Sequence, residues 1–201
     1  MDKIKPLTIS NIASFGALLL SWVSILFLLD DKFYLSLGTM LLAFIADTLD
    51  GWLARKLKQE SDFGRQLDGF VDIFIYLLYP SLVYYLHFKF QDLISVVILY
   101  IFIGAGVFRL VRFNIVGYIE KKFTKSYPGL PVFFSYLTLL LIFLGSSVLK
   151  ESIFQVFALA LILLQSVLMV CNFLVPKPKN SWPLVVILIM TSIYLFYLAL
   201  T

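Results

Sequence analysis

Asp47-Thr-Leu-Asp50-Gly51-Trp-Leu-Ala54-Arg55 and, after eight residues, Gly64-Arg-Gln-Leu-Asp68-Gly-Phe-Val-Asp72 place four aspartates inside otherwise apolar sequence. The reading of this stretch decides the fold. As helix, Asp47, Gly51 and Arg55 fall at successive i, i+4 positions on one face, and Asp50 sits one turn from Asp47. Gly64, Asp68 and Asp72 make the same kind of stripe on a following helix. Two antiparallel helices joined by the polar stretch Lys56–Phe63 would bring the four carboxylates together. Ionisable side chains at membrane depth are expensive to bury and mark function by default. Four bare carboxylates repel one another, and a pair of hard divalent cations of the Mg²⁺ type is the natural compensation.

The remaining sequence supplies the membrane. Hydrophobic residues make up 61% of the 201 and charged residues 14%, and the mean hydropathy is +0.97. That composition excludes an ordinary soluble domain. At about 20 apolar residues per crossing, seven spans are predicted: Asn11–Leu29, Phe33–Arg55, Gly64–Leu86, Leu93–Val116, Val132–Leu149, Ile153–Leu174 and Trp182–Leu200. The expected fold class is an all-α integral membrane protein, a helical bundle forming one domain over residues 1–201, with residues 1–10 as an interfacial segment. No cleavage pattern follows Lys3 and Lys5, so the N-terminus is expected to be retained. The lone Cys171 excludes an intrachain disulfide framework.

Charge orients the bundle. With the N-terminus in the cytoplasm, that side collects Lys3, Lys5, Arg55, Lys56, Lys58, Arg65, Arg109, Arg112, Lys121, Lys122, Lys125, Lys177 and Lys179. The other side keeps Lys32, Lys89 and Lys150. Thirteen basic residues against three is a clear positive-inside asymmetry, and it puts the aspartates at cytoplasmic helix ends.

Asp-x2-Asp-Gly-x2-Ala-Arg-x8-Gly-x3-Asp-x3-Asp, matched here at every specified position from Asp47 to Asp72, resembles the signature of the CDP-alcohol phosphotransferases. Leu7-Thr8-Ile9-Ser10-Asn11 resembles the family's N-terminal substrate-contacting segment, and Ser61 falls where members often carry a hydroxyl near the nucleotide. The resemblance implies six core spans, with the C-terminal seventh as an addition, a site facing the cytoplasm and a homodimer. It also implies transferase activity in phospholipid biosynthesis, on a CDP-activated lipid such as CDP-diacylglycerol or CDP-archaeol, in a prokaryotic cell membrane. The CDP-lipid would be met by Thr8, Asn11, Gly51, Ala54, Arg55, Ser61 and Gly64. Asp47, Asp50, Asp68 and Asp72 would hold two Mg²⁺ or Mn²⁺ ions.

In that chemistry an alcohol attacks the lipid-side phosphorus and expels CMP, with two metals clamping the attacking and leaving oxygens. Asp72, one turn beyond Asp68, is the candidate general base. Arg55 offers a planar fork to phosphate oxygens. Arg109-Leu-Val-Arg112-Phe113-Asn114 and Tyr127-Pro-Gly129-Leu-Pro131 resemble elements of the serine-accepting branch. That branch often continues Asp72 into Ser-Phe-Gly, which this chain lacks while keeping Pro80. A serine acceptor needs a cation for its carboxylate, and Arg109, Arg112 and Asn114 are the candidates.

Other readings compete at each position. The same machinery could take glycerol 3-phosphate or an inositol phosphate, but a phosphorylated acceptor asks for a denser cationic pocket. A cation transporter should spread acids over several spans and depths, whereas these four sit at one level on two helices. Arg109 and Arg112 could be positive-inside anchors, Thr8 and Asn11 could cap the first helix, and Gly104-Ala-Gly106 reads as close helix packing. Lys121, Lys122 and Lys125 read as a solvated loop touching lipid headgroups. No nucleic-acid partner is expected.

Overall fold

The computed structural model describes residues 8–121, 124–176 and 182–201. The predicted interfacial segment as far as Leu7, with Lys3 and Lys5, and also Lys122, Lys177 and Lys179, lie outside the described residues. Among the described residues the main helices number seven: α1 Ile9–Leu29, α2 Phe33–Lys56, α3 Asp62–His87, α4 Leu93–Val116, α5 Ser135–Val148, α6 Glu151–Val170 and α7 Trp182–Leu200. Six contain an apolar stretch long enough to cross a membrane; the run Val132–Val148, ending in α5, is shorter. The protein is an all-α integral membrane protein, as its composition requires. Pro128, Gly129 and Pro131 precede α5 and cut back its first turn to a 3₁₀ turn over Val132–Phe134, because proline cannot supply the backbone donors an earlier helix start would use.

Helix ends follow local chemistry. The Thr8 hydroxyl accepts from Asn11 N (3.2 Å), the Ser61 hydroxyl from Gly64 N (3.0 Å) and the Asp92 carboxylate from Ser95 N (3.0 Å), each capping the helix it precedes. Gly117, with φ of 69°, stops α4. Around Pro80, α3 widens into π turns over Ile73–Leu78 and Val83–His87, which accommodate the missing proline N–H.

The described residues form two compact units, 8–75 with 182–201 and 76–176. In the first, α1 packs along α2 through small side chains, with Ser24 and Ser36 exchanging hydroxyl-to-carbonyl hydrogen bonds of 2.7 and 2.8 Å. The additional helix α7 lies along α2: the Ser192 hydroxyl donates to Gly38 O (2.9 Å), and the Phe196 ring fills the space a side chain at Gly38 would take.

In the second unit α6 packs against both α4 and α5. Gly106 of α4 meets Leu77 within the same chain, while nothing lies within 4 Å of a Cβ placed at Gly104. One feature differs from the sequence expectation. Residues read as a solvated loop form strands, β1 Ile119–Lys121 and β2 Thr124–Pro128, paired antiparallel, and β2 pairs in turn with β3, Leu174–Pro176. Accordingly α6 ends at Val170, and Leu174, predicted to lie in that span, is in a strand.

Candidate active site

The site is built in the first unit. Asp47 and Asp50 are buried on the last turns of α2, and Asp68 lies on α3. One oxygen from each of the three carboxylates lies within 4.8 Å of the others. Asp72, half-buried at the end of the regular part of α3, stands one turn on and is not in this set. A set of carboxylate oxygens with no nitrogen or sulfur donor suits a hard divalent cation.

Asp50 and Asp68 reach the wall of a cavity of about 1120 Å³. The cavity is also lined by Thr8, Asn11, Gly51, Ala54, Arg55, Ser61 and Gly64, the seven residues expected to meet the CDP-lipid. The α1 N-terminus, the end of α2 and the start of α3 supply them, joined by the Leu57–Ser61 turn, where Lys58 adopts a positive φ of 52°.

Two glycines serve the motif's own side chains. A Cβ at Gly51 would meet the Arg55 guanidinium at 3.4 Å, so the i, i+4 spacing lets the arginine fold back over bare backbone. A Cβ at Gly64 would sit 3.0 Å from Asn11 Oδ1 and 3.2 Å from Ser61 Oγ, so glycine permits the first turn of α3 to approach α1.

Ser10, inside the Leu7–Asn11 segment expected to contact substrate, and Ser14, which was not anticipated, both serve Asp50. The Ser14 hydroxyl donates to an Asp50 carboxylate oxygen, and the Ser10 hydroxyl donates to the Asp50 carbonyl at 3.1 Å. Both serines are buried on α1, one turn apart, and line the cavity. The available signal was the i, i+4 pair of hydroxyls two and six residues inside the Thr8 cap.

Arg109, Arg112 and Asn114 lie on α4, in the second unit. Arg109 is 3% exposed, with its guanidinium over the rings of Phe113 (5.1 Å) and Tyr127 (5.6 Å). Arg112 has a different environment. Its Nη1 donates to Val170 O (2.7 Å) and Asn172 Oδ1 (2.9 Å), and its Nη2 to Met169 O (2.9 Å) and Pro128 O (3.0 Å). The guanidinium therefore caps the carbonyl end of α6. Gly129, with φ of 73°, is the counterpart: a Cβ there would strike the Arg112 guanidinium and come within 2.7 Å of Met169 O. The Arg-Phe-Asn and Gly-Leu-Pro elements thus pack on each other. Asn114 is half-buried two residues past Arg112.

Fold and site together define a membrane-embedded helical protein with a carboxylate triad beside a polar cavity. From residue 7 to residue 176 the chain matches the CDP-alcohol phosphatidyltransferase family, and it belongs to that family. The matched range ends before α7.

Among its relatives is a CDP-diacylglycerol–serine O-phosphatidyltransferase of Methanocaldococcus jannaschii, 34% identical over 97 residues, which are 48% of this chain and 44% of the relative. An archaetidylserine synthase of Methanothermobacter thermautotrophicus is 31% identical over 113 residues, 55% of this chain and 47% of the relative. A CDP-diacylglycerol–serine O-phosphatidyltransferase of Helicobacter pylori is 28% identical over 186 residues, 90% of this chain and 78% of the relative. The chain spans less than half the length of the two archaeal relatives it matches.

Proposed function

We propose that the protein transfers the phosphatidyl group, or its ether-linked archaetidyl counterpart, from a CDP-activated lipid to the hydroxyl of L-serine and releases CMP. The observation that carries this reading is the convergence of Asp47, Asp50 and Asp68 beside the cavity that Thr8, Asn11, Gly51, Ala54, Arg55, Ser61 and Gly64 line. Serine is favoured over other alcohols by the names of the relatives above.

In this reading the carboxylates of Asp47, Asp50, Asp68 and Asp72 hold two divalent cations, Mg²⁺ or Mn²⁺. Those ions, when bound, neutralise charge on the phosphate oxygens and orient the in-line displacement. Ser14 orients the Asp50 carboxylate through its hydrogen bond, which keeps the carboxylate's other oxygen for a ligand. Arg55 takes the CMP phosphate, whose charge rises as the bond to the lipid phosphorus breaks. Asp72 accepts the proton of the serine hydroxyl as its oxygen bonds to that phosphorus. Arg109 receives the serine carboxylate with Asn114 as a hydrogen-bonding partner, and Arg112 supports the acceptor site through the α6 carbonyls it holds. The enzyme works as a homodimer in a prokaryotic cell membrane, with the site facing the cytoplasm.

The test is an acceptor panel with detergent-purified protein and CDP-lipid, following CMP release. Serine should drive release in the presence of Mg²⁺ or Mn²⁺, and excess chelator should abolish it. Turnover with glycerol 3-phosphate and none with serine would refute the reading.

A further inference from the structure

α7 lies beyond the range that matches the family, yet it packs along α2, the helix that carries Asp47, Asp50, Gly51 and Arg55. Its buried residues Val185, Leu188, Ser192 and Leu195 recur at spacings of three and four, the stripe of a helix seated on a neighbour. Two contacts fix its register on α2. Near the start of α2, a Cβ at Gly38 would stand 3.2 Å from the Phe196 ring. Near its end, the rings of Trp52 and Trp182 meet edge to face, with centroids 5.9 Å apart. Gly38 and Trp52 are fourteen residues apart on α2, and Trp182 and Phe196 are fourteen apart on α7. Both contacts therefore describe one antiparallel alignment, inside the first unit.

The second contact sits beside the chemistry. Trp52 directly follows Gly51 and occupies one of the unspecified positions between Gly51 and Ala54. It comes two residues after Asp50, which puts it roughly 200° round the helix, on nearly the opposite side of α2. On the Asp50 side, α1 supplies the hydrogen bonds from Ser10 and Ser14. On the far side Trp52 meets the Trp182 ring, and Lys56, one turn on, sets its ammonium over the Trp52 ring at 4.4 Å. The last turns of α2 are thus held from two sides, by hydroxyls of α1 and by a ring of α7.

Trp182 is poorly placed to serve the core. It opens α7 and keeps 52% of its surface exposed. Phe196, at the other end of the same alignment, fills space against Gly38 and stands far from the carboxylates along α2. One helix pair therefore offers two aromatic contacts, one beside the site and one remote from it.

We propose that Trp182 is a positioning residue for the metal-holding carboxylates. Through Trp52 it fixes the end of α2, so that Asp47 and Asp50 keep their placement against Asp68 of α3. The proposal rests on the two-metal reading above and gives the additional helix α7 a part in it.

The experiment measures Mn²⁺ binding by electron paramagnetic resonance, and CMP release with serine, on protein purified in detergent. Tryptophans at helix ends also anchor proteins in the bilayer interface, and detergent removes that role from the comparison. Trp182→Ala should weaken Mn²⁺ binding and lower kcat, each roughly three- to tenfold, the range that loss of one aromatic pair allows. Trp182→Phe, which keeps a ring edge for Trp52, should restore both. Phe196→Ala should lower the unfolding midpoint and leave Mn²⁺ binding at the wild-type value. If Trp182→Ala yields no folded protein, Trp182→Leu carries the comparison, because it keeps apolar bulk without a ring. Wild-type Mn²⁺ binding in the Trp182 variant overturns the inference, and so does an equal loss of binding in Phe196→Ala. A wild-type protein that binds Mn²⁺ yet releases no CMP with serine overturns the functional reading alone, because the Mn²⁺ comparison needs no turnover.

Discussion

The two units use charge in opposite ways. In the first, Asp50, Asp68 and Arg55 line an open cavity, and the local backbone is shaped around them by Gly51 and Gly64. In the second, Arg112 is spent on five acceptors of its own chain, and Arg109, one turn earlier, lies over two aromatic rings. Both sets are charged side chains at the ends of apolar helices. What separates them is the company they keep: Arg112 is held among acceptors at the end of α6, whereas the three carboxylates, one of them bonded by Ser14, crowd together with oxygens within 4.8 Å of one another. A charge that faces its own kind needs something from outside the chain.

The largest expected effect tests that contrast directly. Asp68→Asn leaves a side chain of the same size on α3 and removes a negative ligand, so turnover should fall by at least about 10³-fold, on the order of 4 kcal/mol in the barrier. The thermal midpoint in detergent should hold or rise, because one of three crowded acids has become neutral. Retained turnover in Asp68→Asn protein would remove the triad from the chemistry.

In the second unit the order should reverse, with stability affected first. Gly129→Ala must accommodate a Cβ against Met169 O and the Arg112 guanidinium at a left-handed φ, and Arg112→Ala leaves the carbonyls of Met169 and Val170 without their donor. Each should cost about 2–4 kcal/mol of stability, read as a lowered unfolding midpoint. Arg112→Lys should not rescue it, since a single ammonium cannot replace a fork spanning two sets of acceptors. A normal midpoint in Arg112→Ala, with only the serine KM raised, would return Arg112 to direct substrate contact.

Much of the first unit was legible because its chemistry fixes spacing. Asp47, Asp50 and Asp68 can share a ligand only from two helical faces, and the i, i+4 pattern states which faces those are. Ser10 was legible only as part of the Leu7–Asn11 segment, and Ser14 was not legible at all. A serine inside an apolar helix usually bonds its own backbone, as the Ser14 hydroxyl also does to Ser10 O at 3.3 Å, and nothing in sequence reveals a second partner on α2. The three strands were hidden for a different reason: each is three to five residues long, and although β1 and β2 are neighbours in sequence, β2 pairs with β3 some fifty residues on. Arg112 illustrates the same limit, because its acceptors are backbone atoms that every sequence possesses.

A smaller effect is expected where a neutral donor supports a charged ligand. Ser14→Ala removes the hydroxyl that bonds Asp50 and leaves the carboxylate in place. Turnover should drop roughly tenfold, the range over which groups supporting a metal ligand usually act, and the metal concentration for half-maximal rate should rise. An unchanged metal requirement would reduce Ser14 to packing between α1 and α2.

The smallest expected effect lies in the second unit, outside the spans. Asp92 caps α4 and accepts hydrogen bonds from Ser95 Oγ (2.6 Å), Ser95 N (3.0 Å) and Gln155 Nε2 (2.7 Å). The Ser95 hydroxyl, then the Ser95 N–H, hold its carboxyl below the ordinary carboxylate range. A depressed folded pKa contributes stability that is present above the unfolded value, near 4, and is lost as pH falls through the folded value. The unfolding midpoint of the wild-type protein should therefore drop slightly on acidification below about pH 4. In Asp92→Asn this component should be missing: a carboxamide can still accept at the cap but does not titrate, so the variant starts lower at neutral pH and converges with the wild type in acid. Parallel pH curves for the two proteins would mean that the clip between Asp92, Ser95 and Gln155 bears no net stability, leaving Arg112 as the fastening between α4 and α6 that matters.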